Sequence, residues 1–263
     1  MIITSAQNHK IKLVRALLAS RKERERNRMF IVEGVRLAEE VMNTKVRPYL
    51  ALYSRDLSER GFKVIEHLVA QGVDIEEVNS SLLNRISDTR SSQGILLVLP
   101  LPQESMCLKN QHVLVLDQLR NPGNVGTLLR SAVAMDFFTI ILTPGSVDIY
   151  SPKVVRSAMG AHFRSHIFTM DAPDILRLCK KQNIPQLKIV LADAHAEHAC
   201  WEKDLSFPLC LVIGSEAEGV TPELASCADE RISIPMASGS ESFNAAISGS
   251  ILMYEIFRQR KTA

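Results

Sequence analysis

Apolar and polar positions alternate in two rhythms along the chain, and the changes of rhythm mark the elements. From His9 to Met29 the apolar residues Ile11, Val14 and Leu18 recur at i, i+3 and i+7, which predicts one amphipathic helix. "FIVEG" then reads as a strand stopped by Gly34, "VRLAEEVMN" as a helix and "PYLALYS" as a second strand. "RGFKVIEHLVAQGVDIEEV" predicts helix then strand, "SLLNRISDT" a short helix and "QGILLVLP" another strand. This is an α/β module small enough to be a domain of its own.

Leu99-Pro100-Leu101-Pro102 and the aperiodic "QESMCLKN" break the pattern, because proline removes backbone donors. A linker there divides the chain into residues 1–103 and 104–263. Beyond it the alternation restarts with strand "HVLVLD", a helix from about Gly123 to Met135, strand "FTIILT", helix "SPKVVRSAMG", strand "SHIFT" and helix "APDILRLCKKQ". Strands "KIVLAD" and "LCLVIG", helix "TPELASCA", strand "RISIP" and a long helix from about Ser242 complete the pattern. Apolar strands alternating with amphipathic helices predict a mostly parallel sheet covered on both faces, with ligands at the carboxyl ends of its strands.

Composition changes this picture little. The 263 residues are 46% hydrophobic and 23% charged, which suits two soluble globular domains and argues against disordered or fibrous classes. The five cysteines, Cys107, Cys179, Cys200, Cys210 and Cys227, form no Cys-x-x-Cys pair, so a reducing compartment is expected. "MIITSAQNHK" lacks the apolar run of a signal peptide, and no apolar stretch approaches the roughly 20 residues that span a bilayer; a cytoplasmic protein without a membrane segment is expected. "DAHAEHAC" matches no zinc spacing, so no metal site is expected; Asp193, at the preceding strand end, is placed nearer a ligand than His195, His198 or Cys200.

Charge adds more. Net charge is only +2, yet residues 1–28 carry eight lysines and arginines against two glutamates. Arg21, Arg24 and Arg28 are thereby candidate phosphate contacts for a nucleic acid, although the same charges also suit a solvated helix face.

Three polar clusters follow strands of the second domain. In "NPGNVGTLLR", Pro122 and two glycines free a turn whose following helix would point unpaired N–H groups outward, an anion site in outline. No Gly-Lys-Ser/Thr or Gly-x-Gly-x-x-Gly is present, so neither a Walker loop nor a dinucleotide fingerprint is formed. In "LVIGSEAEGVTPEL" a strand ends at Gly214, where a backbone or planar ring can come close, and Thr221-Pro222 starts a helix. In "ISIPMASGSESFNAAISGSILMYE" a Gly/Ser loop leads to Ser242, a natural N-cap, and to a helix whose small residues permit close packing.

The combination of "NPGNVGTLLR", "GSEAEG" and "IPMASGSESFN", with "KVVRSAMGA" between, resembles the SpoU/TrmH family of the SPOUT superfamily, S-adenosylmethionine-dependent RNA 2′-O-ribose methyltransferases. The likeness covers the whole second domain, and the first resembles the ribosomal-protein-like substrate-binding domain of rRNA-directed members. The resemblance implies an α/β catalytic domain closed by a trefoil knot, an exception to the rule that chains do not thread loops. It also implies a homodimer, with S-adenosylmethionine bent in the knot around Gly214, Ile234 and Phe243. Large-subunit ribosomal RNA is the expected substrate; transfer RNA, or a noncatalytic RNA-binding or ribosome-assembly role, is the alternative.

Motif matching carries the family's catalytic residues onto Asn124, Arg130, Glu216, Ser242 and Asn244. A free guanidinium stays protonated, so Arg130 suits phosphate binding and stabilisation of alkoxide charge better than proton abstraction, which would require a strongly depressed pKa. Asn124 is expected to orient the ribose or Arg130, Glu216 to position the arginine or its loop, and Ser242 and Asn244 to order the cofactor loop. Phe243 stands where leucine is usual in the family, and Ala245-Ala246 where valine-serine is more common.

Overall fold

The computed structural model describes residues 2–89, 91–102, 112–180, 187–216, 218–237 and 243–262. The chain forms two compact units, residues 1–103 with 148–163, and residues 104–147 with 164–263.

In the first unit, helix α1 (His9–Ala19) and helix α2 (Arg21–Asn27) replace the single predicted helix. Ser20 separates them: its extended backbone ends α1 while its hydroxyl caps α2 by accepting from Glu23 N. Strand β1 (Met29–Glu33), α3 (Val35–Met42), β2 (Leu50–Tyr53), α4 (Glu59–Ala70), β3 (Asp74–Glu77), α5 (Ser80–Ile86) and β4 (Ile95–Pro100) follow. The sheet order is β1-β4-β2-β3, with β4 antiparallel to both neighbours and β2 parallel to β3. Strict alternation sorts its side chains: Phe30, Ala51, Leu97 and Leu99 face one core with α3 and α4, while Ile31, Leu50, Leu52 and Val98 face another with Ile11, Val14 and Leu17 of α1.

The break at Ser20 carries a correction. Arg24, expected on an RNA-facing surface, is 5% exposed. Its Nε and Nη2 donate to Asp148 Oδ2 at 2.8 and 2.5 Å, and its Nη1 donates to Leu17 O. Starting a new helix at Arg21 rotates this position inward, where a carboxylate and a carbonyl compensate its charge. Lys12, Arg15, Arg21, Lys22, Arg26 and Arg28 remain exposed.

The second unit is built on β5 (Val113–Leu116), α6 (Pro122–Ala134), β6 (Thr139–Leu142), β7 (His166–Thr169), α8 (Ala172–Cys179), β8 (Lys188–Ala192), β9 (Leu209–Ile213), a short helix α9 (Pro222–Ala225), β10 (Glu230–Ile232) and α10 (Ala245–Thr262). Helix α7 (Pro152–Ala158), expected within the second domain, packs with the first unit. All described pairings of the six-stranded sheet are parallel, in the order β10-β8-β9-β5-β6-β7. Val113, Val115, Ile141, Ile189 and Val212 face α8. On the other face α10 packs on α6, so closely that a Cβ on Gly249 would lie 2.4 Å from Leu128 Cδ2. Ser131 and Ser250 share a hydroxyl hydrogen bond of 2.7 Å across that contact. Between β5 and β9 the chain's progress along the sheet reverses, and such a switch point opens a crevice at the strands' carboxyl ends.

Candidate active site

Asp117, one residue beyond β5, builds the crevice. Its backbone N–H donates to Ile213 O at 2.8 Å, Oδ1 accepts from the Thr143 hydroxyl at 2.7 Å and Oδ2 accepts from Thr221 N at 2.7 Å. Its backbone thus ties β5 to the end of β9, and its buried carboxylate ties the exit of β6 to the start of α9. Asn121 then starts α6: its Oδ1 accepts from Gly123 N at 2.9 Å and Asn124 N at 3.4 Å, with Pro122 in the first turn. Two N–H groups expected to face an anion are therefore taken by the cap. Sequence reasoning passed over Asp117 and Asn121; an aspartate closing an apolar strand and an asparagine before Pro122 were the available signals.

Asn124, 8% exposed, lies in the first turn of α6. Its Nδ2 donates to Glu216 Oε1, and its Oδ1 accepts from Asn244 Nδ2 at 3.2 Å. Asn244 Nδ2 also donates to Glu216 Oε1 at 3.2 Å, and Asn244 Oδ1 accepts from Ala246 N at 3.0 Å. Asn244 thereby caps α10, which begins at Ala245; Ser242, read as the N-cap, lies outside the described residues. Three sites separated in sequence by 92 and 28 residues meet in one carboxylate–amide cluster.

Arg130 is not part of this cluster. It is exposed on α6, and its side chain makes no ion pair or hydrogen bond among the described residues. Six helical positions from Asn124 it stands ~9 Å along the axis and roughly 120° around it.

Beside the cluster lies a cavity of about 550 Å³, a volume suited to a nucleoside-sized ligand. Its described lining includes Gly214, Glu216, Ile234 and Phe243, which join the three cofactor-binding candidates to one member of the cluster. A Cβ on Gly214 would lie 2.2 Å from Gly219 C and 2.4 Å from Val220 N. The approach that glycine permits is therefore that of the chain's own loop, closed by reciprocal Ser215–Gly219 backbone bonds of 3.0 and 2.9 Å. A cradle of mixed lining, in which Ile213, Ile234 and Phe243 meet the carboxylates of Asp193 and Glu216, suits a cationic nucleoside such as S-adenosylmethionine. No group of three or more His, Cys, Asp or Glu side chains placed to hold a metal occurs among the described residues.

Fold and site together define an α/β enzyme with a nucleoside-type cavity at the carboxyl edge of a parallel sheet. Residues 111–254 match the SpoU rRNA Methylase family and residues 8–97 the MRM3-like substrate binding domain. The chain belongs to the SpoU rRNA methylase family. It is 26% identical over 97% of its length, and 98% of the relative's, to a Bacillus subtilis 23S rRNA (guanosine(2553)-2′-O)-methyltransferase. It is 28% identical to human mitochondrial rRNA methyltransferase 3, covering 96% of this chain and 73% of that one. Among solved structures, the SpoU methyltransferase AviRb of Streptomyces viridochromogenes in complex with AdoMet superposes with a TM-score of 0.87 at 25% identity, covering 97% of this chain and all of that one.

Proposed function

We propose that the chain transfers the methyl group of S-adenosylmethionine to the 2′-oxygen of a ribose in large-subunit ribosomal RNA, with S-adenosylhomocysteine leaving as the S–CH3 bond breaks and the hydroxyl proton passing to solvent. The convergence of Gly214, Ile234 and Phe243 on one cavity, with Glu216 linking it to Asn124 and Asn244, carries this reading. The cofactor supplies a methyl group made electrophilic by a sulfonium. The protein's own work is alignment, and holding reactants in attack geometry contributes several kcal/mol. Asn124 and Asn244 lock Glu216 at the cavity edge, and the locked trio orients the incoming ribose. Arg130, a permanent cation on the exposed face of α6, binds the phosphate beside the target ribose and stabilises charge developing on its oxygen.

Residues 1–103 form the RNA-binding domain in this reading, with Arg21 and Arg28 on its exposed basic surface, and residues 104–263 the catalytic domain. The match to a substrate-binding domain favours ribosomal over transfer RNA. The catalytic domain threads a trefoil knot, a path supported by β10 lying outside β8 while α10 returns to α6. Two copies pair through α10, whose Ile247, Ile251 and Tyr254 form an exposed stripe at i, i+4 and i+7. The enzyme acts in the cytoplasm without a metal.

The test combines calorimetry with S-adenosylmethionine and mapping of ribose methylation in ribosomal RNA from cells with and without the gene. Arg130→Ala should lower turnover at least 100-fold while cofactor affinity stays within about twofold, and Asn244→Ala should lower both. Parent-like turnover by Arg130→Ala, or no cofactor binding by the parent, refutes the reading; cofactor-independent RNA binding would instead mark an assembly protein.

A further inference from the structure

Among the described residues lining the cavity, Asp193 is the one anchored carboxylate that the amide cluster does not use. It directly follows β8, and continuing the register of Leu191 on Val212 sets it beside Gly214, the residue after β9. Its Oδ1 accepts from His195 N at 2.9 Å, and its Oδ2 pairs with Arg231 Nη1 at 3.0 Å. Arg231 Nη2 in turn donates to Ala225 O at 2.9 Å. Asp193, Arg231 and Ala225 all line the cavity, so the guanidinium is a strut joining the exits of β8 and α9 to β10.

This arrangement has two chemical consequences. The His195 N–H bond, followed by Arg231, holds the Asp193 pKa below the usual carboxylate value against the opposing effect of burial, so the group stays an acceptor at neutral pH. A carboxylate offers about four acceptor positions, and two are occupied. Arg231 also cancels the local negative charge, so an ammonium group meets a fixed cation beside the carboxylate, whereas neutral hydroxyl donors do not.

Methionine-derived sulfonium cofactors bring both kinds of donor: a ribose diol and an α-ammonium. We propose that Asp193, held in place by Arg231, accepts hydrogen bonds from the ribose diol of S-adenosylmethionine and so sets how the adenosine lies in the cavity. The inference rests on the assignment of this cavity to that cofactor.

Calorimetry with three probes tests it: S-adenosylhomocysteine, its 2′,3′-dideoxy analogue, and 5′-methylthioadenosine, which keeps the ribose and lacks the amino-acid tail. The parent should bind the dideoxy analogue about 10- to 100-fold more weakly than S-adenosylhomocysteine, the range of a hydrogen bond to a charged group. Asp193→Ala should bring these two ligands within about threefold of one another by weakening S-adenosylhomocysteine alone, and should weaken 5′-methylthioadenosine by the same factor. Asp193→Asn, which preserves shape and one acceptor oxygen, should lower the discrimination at least threefold and serves if the alanine variant fails to fold. Discrimination unchanged in either variant, equal weakening of both homocysteine ligands, or indifference of 5′-methylthioadenosine overturns the proposal; the last outcome would place the carboxylate at the amino-acid tail. A parent that binds neither homocysteine ligand would refute the cofactor assignment itself, and the proposal with it.

Discussion

A methyl group added at Gly214 would meet the carbonyl carbon of Gly219 at 2.2 Å, and the clash is with backbone, which cannot rotate aside. Gly214→Ala should therefore open the Ser215–Gly219 loop, costing about 1–3 kcal/mol in denaturant unfolding and at least tenfold in cofactor affinity by calorimetry. A variant with parent stability and affinity would show that the loop is free to move. The sequence marked this position as a close approach but left open whether a ring or a backbone approaches. Likewise it marked Asn124, Glu216 and Asn244 without showing that they bind one another, because side chains 28 to 120 positions apart leave no mutual signal in a single chain.

Elements were legible wherever periodicity ran long. The strands of both sheets lie where the apolar runs predicted them, and α6 spans Pro122–Ala134 against an expected Gly123 to Met135. The N-terminal helix was not legible as two, because the apolar stripe of α1 and the basic run of α2 join smoothly and only Ser20 divides them. The break separates two kinds of arginine. Arg24→Ala leaves Asp148 largely buried without its partner and should destabilise the first unit by about 3–5 kcal/mol in thermal or denaturant unfolding. Reversing Arg21 and Arg28, both exposed, should leave stability within about 0.5 kcal/mol and flatten the salt dependence of RNA binding. Salt-independent RNA affinity in the parent would reassign this surface to plain scaffold.

Each unit of the whole molecule buries one neutral histidine. His112, stacked on Phe137 with its Nδ1 accepting from Leu209 N, has its pKa lowered from 6.5 to about 4 by burial and, secondarily, by Arg260. His162 donates Nε2–H to Ile149 O; burial lowers its pKa to about 4 despite that bond and Asp148. A base with a depressed folded pKa contributes fully above its unfolded value of 6.5 and loses its contribution as pH falls toward 4. The loss is roughly 2 kcal/mol for each histidine at pH 5, approaching about 3 kcal/mol below pH 4. Denaturant midpoints should fall between pH 7 and pH 5, and His112→Phe should remove its share; flat midpoints over that range would contradict the burial of both rings in neutral form. Replacing Ile247, Ile251 and Tyr254 with serine should convert the dimer to monomer in light scattering, and a parent already monomeric removes the proposed interface.

Taken alone, the amino-acid order determined the two α/β modules, the parallel character of the second sheet and the three loops that follow its strands, because periodicity and turn chemistry are local. Tertiary structure decided what those loops do to one another: Asp117 ties β5 to β9 and β6 to α9, Glu216 gathers two asparagines, Gly214 admits a backbone, Arg24 turns inward and Asp193 is braced at the cavity wall. These are relations between distant residues, set by which strands lie side by side, and a one-dimensional pattern carries no record of that order.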